Sequence, residues 1–124
     1  MNSTLYKENF MDLYKNSTNF GNLPNPSIVS QVINPLCGDK ITLELLVEDK
    51  IITKAMFSGN ICGVAKVSAA ALTQVLEGMN IDDAKKIDQN KVLELIGFEL
   101  TTNRQKCATL VLDALSECLS GLNK

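Results

Sequence analysis

Apolar residues recur along this chain with two different periods, and the switch between them divides it into regions. In residues 4 to 16, Leu5, Tyr6, Phe10, Leu13 and Tyr14 recur at helical spacing, so a first helix is expected there. Asn16 to Pro26 is rich in Asn, Ser, Gly and Pro, and no regular element tolerates it. The period then becomes two. Ser27 to Asn34 carries Ile28, Val29, Val32 and Ile33 and is closed by Pro35. Ile41 to Glu48 alternates Ile41, Leu43, Leu45 and Val47 with a polar face broken only by Leu46. Asp49-Lys50 is a tight turn, and Ile51 to Phe57 returns along it. Three strands in this order make an antiparallel meander.

After the turn signal Ser58-Gly59-Asn60 the helical period returns. From Cys62 onward, Ala65, Ser68, Ala69, Leu72, Val75 and Leu76 form one stripe whose small residues allow close approach to a sheet, and Gly78 ends it. Asn80 is placed to cap a short helix through Lys86, with Asp82 and Asp83 at its start. Asp88 caps another, carrying Val92, Leu93 and Ile96 to Gly97. A loop from Phe98 to Asn103 leads to a last helix, roughly Arg104 to Leu119. The expected fold is α+β: a three-stranded antiparallel sheet packed against several helices. Residues 1–124 are expected to form one domain, with 16–26 a flexible surface linker.

Charge narrows the function. A net charge of −2 with scattered Lys and Arg argues against broad nucleic-acid binding. No apolar run approaches the ~20 residues of a membrane span, and the N-terminus lacks a signal-peptide layout. A cytoplasmic protein is expected, in which four cysteines point to metal or redox chemistry rather than a disulfide framework. With no His, Ser-His-Asp and Cys-His catalysis are excluded, and the glycines form no phosphate loop.

The cysteines separate by position. Cys62 falls at a strand-to-helix junction, within the first helical turn, where unpaired N–H groups and the helix dipole favour a negative sulfur. Cys37 lies in the loop Leu36 to Lys40, and Cys107 lies in the first turn or so of the final helix. No CxxC clip is present, so spacing alone is weak evidence for a metal. All three nevertheless sit at element ends, which can gather at one end of a meander covered by helices. Asp39, two residues after Cys37, is an oxygen donor placed to join them, giving a four-coordinate set for zinc or iron. Bland readings stand beside this one: Cys37 as an idle loop thiol, Asp39 as a turn residue, Cys107 as core. Arg104 and Lys106 would be cations opposed to the dipole at a helix start, unless negative sulfur lies nearby. Cys118, about 16 Å along the helix from Cys107, is read as a core residue.

The chain resembles the U-type iron–sulfur cluster scaffolds: IscU, SufU and the N-terminal module of NifU. The match covers about residues 14 to 119. It rests on Tyr14-Lys15-Asn16 with Asn19 and Gly21, on Asn34-Pro35-Leu36-Cys37-Gly38-Asp39, on Phe57-Ser58-Gly59 with Cys62, and on Lys106-Cys107-Ala108-Thr109-Leu110. The resemblance implies a SufE/IscU-like fold and a scaffold rather than an enzyme. It implies that Cys37, Cys62 and Cys107 ligate a cluster (2Fe-2S) or zinc, with Asp39 as a conditional fourth ligand, and that Cys62 and Cys107 are candidate persulfide acceptors. The implied partners are a cysteine desulfurase, which delivers sulfur as persulfide, and apo iron–sulfur proteins, with weak self-association allowed. A zinc-dependent sulfur acceptor and a purely structural zinc domain are the alternatives. Lys106 stands where ISC-type members carry His, as in SUF-type members, and Leu100-Thr101-Thr102-Asn103-Arg104 replaces the chaperone-recruiting Leu-Pro-Pro-Val-Lys of ISC-type members. The longer segment that SUF-type members hold between the second and third cysteines is absent, and Ser17 stands where the early motif usually has Pro.

Overall fold

In a computed structural model, residues 19–35, 38–96 and 102–122 are described, with side chains from 105 in the last stretch. The helix expected over 4 to 16, the first residues of the linker and Cys37 lie outside them. Three strands, β1 (Ile28–Ile33), β2 (Lys40–Glu48) and β3 (Ile51–Asn60), form an antiparallel sheet in the order β1-β2-β3. Among the described residues five helices follow: α1 (Gly63–Leu76), α2 (Ile81–Ala84), α3 (Gln89–Ile96), α4 (Thr102–Ala108) and α5 (Leu110–Leu122). The α+β architecture read from the pattern is the one observed.

Alternation decides which face of the sheet is buried. Ile41, Leu43 and Leu45 of β2 and Ile52, Ala55 and Phe57 of β3 are fully buried. α5 lies across β1 and β2, while α1 packs against β3, α3, α4 and α5. That enclosure explains why α1 buries Val67, Ala70, Ala71 and Thr73 in addition to Ala65, Ser68, Ala69, Leu72 and Leu76 of the expected stripe, whose remaining member Val75 is half-buried: it has neighbours on nearly every side. Asn80 and Asp88 cap as expected, accepting from the N–H groups of Asp82 (2.8 Å) and Lys91 (2.9 Å). The turn at Asp49 and Lys50 places both in the left-handed region, φ 52° and 65°, as a two-residue hairpin loop requires.

Ser58, Gly59 and Asn60 are not a turn. They extend β3, opposite Thr42, Ile41 and Lys40. The turn signal was local, whereas the start of β2 needs partners for its backbone groups and finds them here. Gly59 makes the pairing feasible, because at its φ of 134° a Cβ would collide with the Lys40 carbonyl oxygen.

The linker crosses the outer side of the sheet and is anchored there. Asn22 Nδ2 and the Leu23 N–H (3.2 Å) both donate to the buried carboxylate of Glu44. Residues 19–21 also close the free edge of β3: Phe57 N–H donates to the Asn19 carbonyl (2.9 Å), and Gly21 N–H donates to that of Phe57 (2.8 Å). Further along the same edge, Ile52 exchanges backbone bonds with Gly78 and Met79, and Ala55 bonds Asn19 Nδ2 and the Glu77 carboxylate. The edge is thereby shielded from other chains.

The final helix is two segments rather than one. Thr109 interrupts it, its hydroxyl donating to the Gln105 carbonyl (3.0 Å), a local bond that competes with regular helix.

Candidate metal centre

Hairpin register builds the site. The β1–β2 loop closes on itself through Asn34 N–H to the Asp39 carbonyl and Gly38 N–H to the Asn34 carbonyl, both 2.8 Å. Gly38, at φ 77°, makes the left-handed step that aims Asp39 toward the sheet end. Lys40 then pairs with Asn60, so Asp39 arrives beside the residues that follow β3. The Asp39 Oδ2 accepts the Cys62 backbone N–H at 3.1 Å.

Cys62 is the N-cap of α1 rather than a residue of its first turn, and its side chain makes no capping bond. Its sulfur is therefore left to the site while Asp39 satisfies its N–H. Cys107 comes from the other side, on α4, which packs against α1. It lies in the last turn of its helix, not the first. The same correction moves Lys106 to a helix C-terminal turn, where the dipole favours a cation, so the electrostatic conflict expected from the sequence is removed for Lys106, whereas Arg104 stays in the first turn.

A carboxylate oxygen of Asp39 and the sulfurs of Cys62 and Cys107 lie within 4.8 Å of one another, and among the described residues this is the one such convergence of acidic and thiol groups. Two thiolates on one tetrahedral zinc, with Zn–S near 2.3 Å, sit about 3.8 Å apart. A contraction of about 1 Å would suffice, so the donor set fits zinc or iron in chemistry and nearly in geometry. Cys37 lies outside the described residues, two positions before Asp39 in the same closed loop.

The site is partly enclosed. Asp39 and Cys62 are half-buried, and Cys107 is 8 % exposed and forms the floor. Beside it lies a cavity of about 440 Å³ lined by Ile33, Asn34, Pro35, Lys106, Thr109, Leu110 and Asp113. Desolvation, then the neighbouring charge of Glu117, raises the Asp113 carboxyl above its ordinary range. On the opposite flank, Phe20 stacks edge-on against Phe57, ring centres 5.3 Å apart, and Lys66 Nζ lies 4.9 Å from the Phe20 ring centre. Sequence reasoning missed this aromatic–cation pair because nothing local links residues so far apart.

Cys118 stays apart from the site. It is fully buried, its thiol donates to Ser30 Oγ at 3.2 Å, and Ser30 donates in turn to the Ala114 carbonyl at 2.6 Å. Burial pushes its thiol up from the ordinary value of 9.0. It behaves as a core residue with a satisfied polar handle. None of Cys62, Cys107 and Cys118 is in a disulfide.

Comparison with known proteins adds an independent line. The model of the NifU-like N terminal domain family matches residues 5–123. The zinc-dependent sulfurtransferase SufU of Bacillus subtilis is 35% identical over 131 aligned positions, covering 92% of this chain and 88% of that protein. The iron–sulfur cluster assembly scaffold protein IscU 1 of Archaeoglobus fulgidus is 30% identical over 115 positions, covering 93% of this chain and 74% of that protein. The crystal structure of a NifU-like protein (N-terminal) from Brucella abortus superposes with a TM-score of 0.77 at 17% identity, over 95% of this chain and 94% of that one, and shows the same fold.

Proposed function

This chain belongs to the NifU-like N-terminal domain family, and on that premise we propose that residues 1–124 act as one scaffold domain on which an iron–sulfur cluster is assembled and then passed to apo-proteins. The observation that carries the proposal is the meeting of Asp39, Cys62 and Cys107 at the end of the sheet, with Cys37 two residues from Asp39. Three thiolates and one carboxylate would hold the cluster, its iron and sulfide being cargo. Sulfur would come from a cysteine desulfurase persulfide. An acceptor thiolate attacks the terminal sulfur, the old S–S bond breaks, and the desulfurase cysteine leaves as thiolate, with no net redox change; release of that sulfur as the sulfide of a cluster then takes two electrons, supplied by an external thiol or other low-potential reductant. Cys62, the more exposed of the two described thiols at the site, is the favoured acceptor, and Cys107 the alternative.

The carboxylate supplies the exit. It is a harder and more exchangeable ligand than thiolate, so it is the natural first bond to open when cargo leaves. Its bond to the Cys62 N–H gives the released carboxylate a place to go.

A second reading is zinc-dependent sulfur transfer, supported by the name of the Bacillus subtilis relative and by Lys106. Alignment length weighs against it. The match to that relative spans 131 positions, more than the 124 residues here, so the relative carries residues that this chain lacks. The match to the Archaeoglobus fulgidus scaffold spans 115 positions over 93% of this chain, almost without such gaps. The two readings are separated by incubating the protein with ferrous iron, cysteine, a cysteine desulfurase and excess dithiothreitol as reductant, then measuring iron, sulfide, zinc and visible absorbance. Stoichiometric iron and sulfide with charge-transfer bands support the scaffold. Retained zinc, with persulfide on Cys62 and no cluster, supports sulfur transfer.

A further inference from the structure

The two edges of the sheet are treated differently. That of β3 is closed by residues 19–21 and 77–79, whereas β1 has no backbone partner on its outer side among the described residues. The bonding phase follows from the register. Asn34 bonds toward the start of β2, and antiparallel bonds fall on alternate residues, so Ile28, Ser30 and Val32 also bond inward. Val29, Gln31 and Ile33 therefore turn their N–H and C=O groups to the open edge. β1 carries no Lys, no Pro and no charge, the devices that usually protect such an edge. Val29 and Ile33 are 51 % and 57 % exposed, and with Phe20 they are the exposed large apolar side chains of the described residues.

We propose that this edge pairs with the same edge of a second copy, antiparallel about a two-fold axis at Gln31, joining two sheets into one of six strands. What the edge requires is an extended backbone, because three donors and three acceptors stand in a row. The sequence favours a copy of itself. About Gln31 the outward set reads Val29, Gln31, Ile33, so two-fold pairing sets Val29 against Ile33, Gln31 against Gln31 and Ile33 against Val29. Apolar meets apolar, amide meets amide, and no like charges face each other along the strand. All three outward residues find outward partners, for six backbone hydrogen bonds. Residues 1–18 are a poorer occupant: the chain enters the described region at the opposite edge, beside Phe57, and their apolar spacing is helical.

The dimer would leave both metal sites accessible. Asn34, where the site loop begins, is three residues from the axis, about 10 Å, so the two sites sit about 20 Å apart along the strand direction. A contact of this size makes a weak, concentration-dependent dimer.

Sedimentation equilibrium of the full chain, kept reduced, tests this over the range from ~10 µM to ~1 mM. The expected mass rises from 13.5 kDa toward twice that value. Over the same range, amide exchange at Val29, Gln31 and Ile33 should slow, with the β2 and β3 amides unchanged. Ile33→Lys, at an exposed position, should fold normally and remain monomeric. Gln31→Pro, which removes an outward N–H together with the exposed side-chain bond from Gln31 to Thr42, should do the same. A chain still monomeric at ~1 mM would overturn the proposal. So would a dimer that survives Ile33→Lys, or one whose Val29, Gln31 and Ile33 amides exchange as in the monomer. Protection of those three amides only on adding a cysteine desulfurase would assign the edge to another protein and equally overturn self-pairing.

Discussion

Cys62 and Cys118 carry the same side chain to opposite ends. Cys118 is enclosed by Ser30, Leu43 and the α5 backbone, and its thiol is held neutral by burial. Cys118→Ala should leave metal content unchanged and cost about 1–2 kcal/mol of stability. Because its folded pKa is raised, the neutral thiol contributes stability that is complete below 9.0 and is lost as pH climbs through the higher folded value. Wild type should therefore lose stability above pH 9.0 more steeply than Cys118→Ala, as denaturant titrations at several pH values would show. Asp39 differs again, since its carboxylate holds the Cys62 N–H and stands at the site. Asp39→Ala should keep the thiolates and bind a cluster, but weaken zinc and slow cluster transfer to an apo-ferredoxin. Equal zinc affinity and equal transfer rates in the two proteins would reduce Asp39 to a turn residue.

Elements place those residues, and their legibility varied with how local the controlling forces are. The strands, the Asp49-Lys50 turn and the Asn80 and Asp88 caps rest on neighbours in sequence, and each was readable. The end of β3 was not, because Gly59 and Asn60 carry turn chemistry while the register with Lys40 and Ile41 decides their state. The break at Thr109 was missed because nothing in the local pattern signals it: Thr109 directs both its N–H and its hydroxyl to the Gln105 carbonyl, and the Leu112 N–H then turns back to the Thr109 carbonyl. It shifted Cys107 from a helix start to a helix end, although Cys107 still reached the site. Its burial depends on α4 packing against α1, which no local pattern reports. Gly59→Ala tests how far β3 controls the site. The added Cβ meets backbone that cannot move aside, at a φ that side chains rarely adopt, so the change should cost about 2–4 kcal/mol and weaken zinc binding. Unchanged stability would mean that the Lys40–Asn60 pairing does not position Asp39. Glu44→Ala should leave the core intact but release the linker, and faster amide exchange at Gly21 and Leu23 would report it.

At the scale of the molecule, a single inner face of the sheet builds the core, and element ends collect the chemistry at one margin. None of the helices among the described residues is long and apolar enough to cross a membrane. Partial burial of the donors would suit the proposed role of holding cargo against water yet giving it up: Cys107 is buried, while Asp39 and Cys62 are half-buried. The most direct test of this account is iron and sulfide stoichiometry after desulfurase-driven reconstitution of wild type, Cys107→Ser and Cys118→Ala side by side. Stoichiometric cluster in wild type and Cys118→Ala, with none in Cys107→Ser, is the predicted result. A cluster retained in Cys107→Ser, or lost in Cys118→Ala, would contradict it.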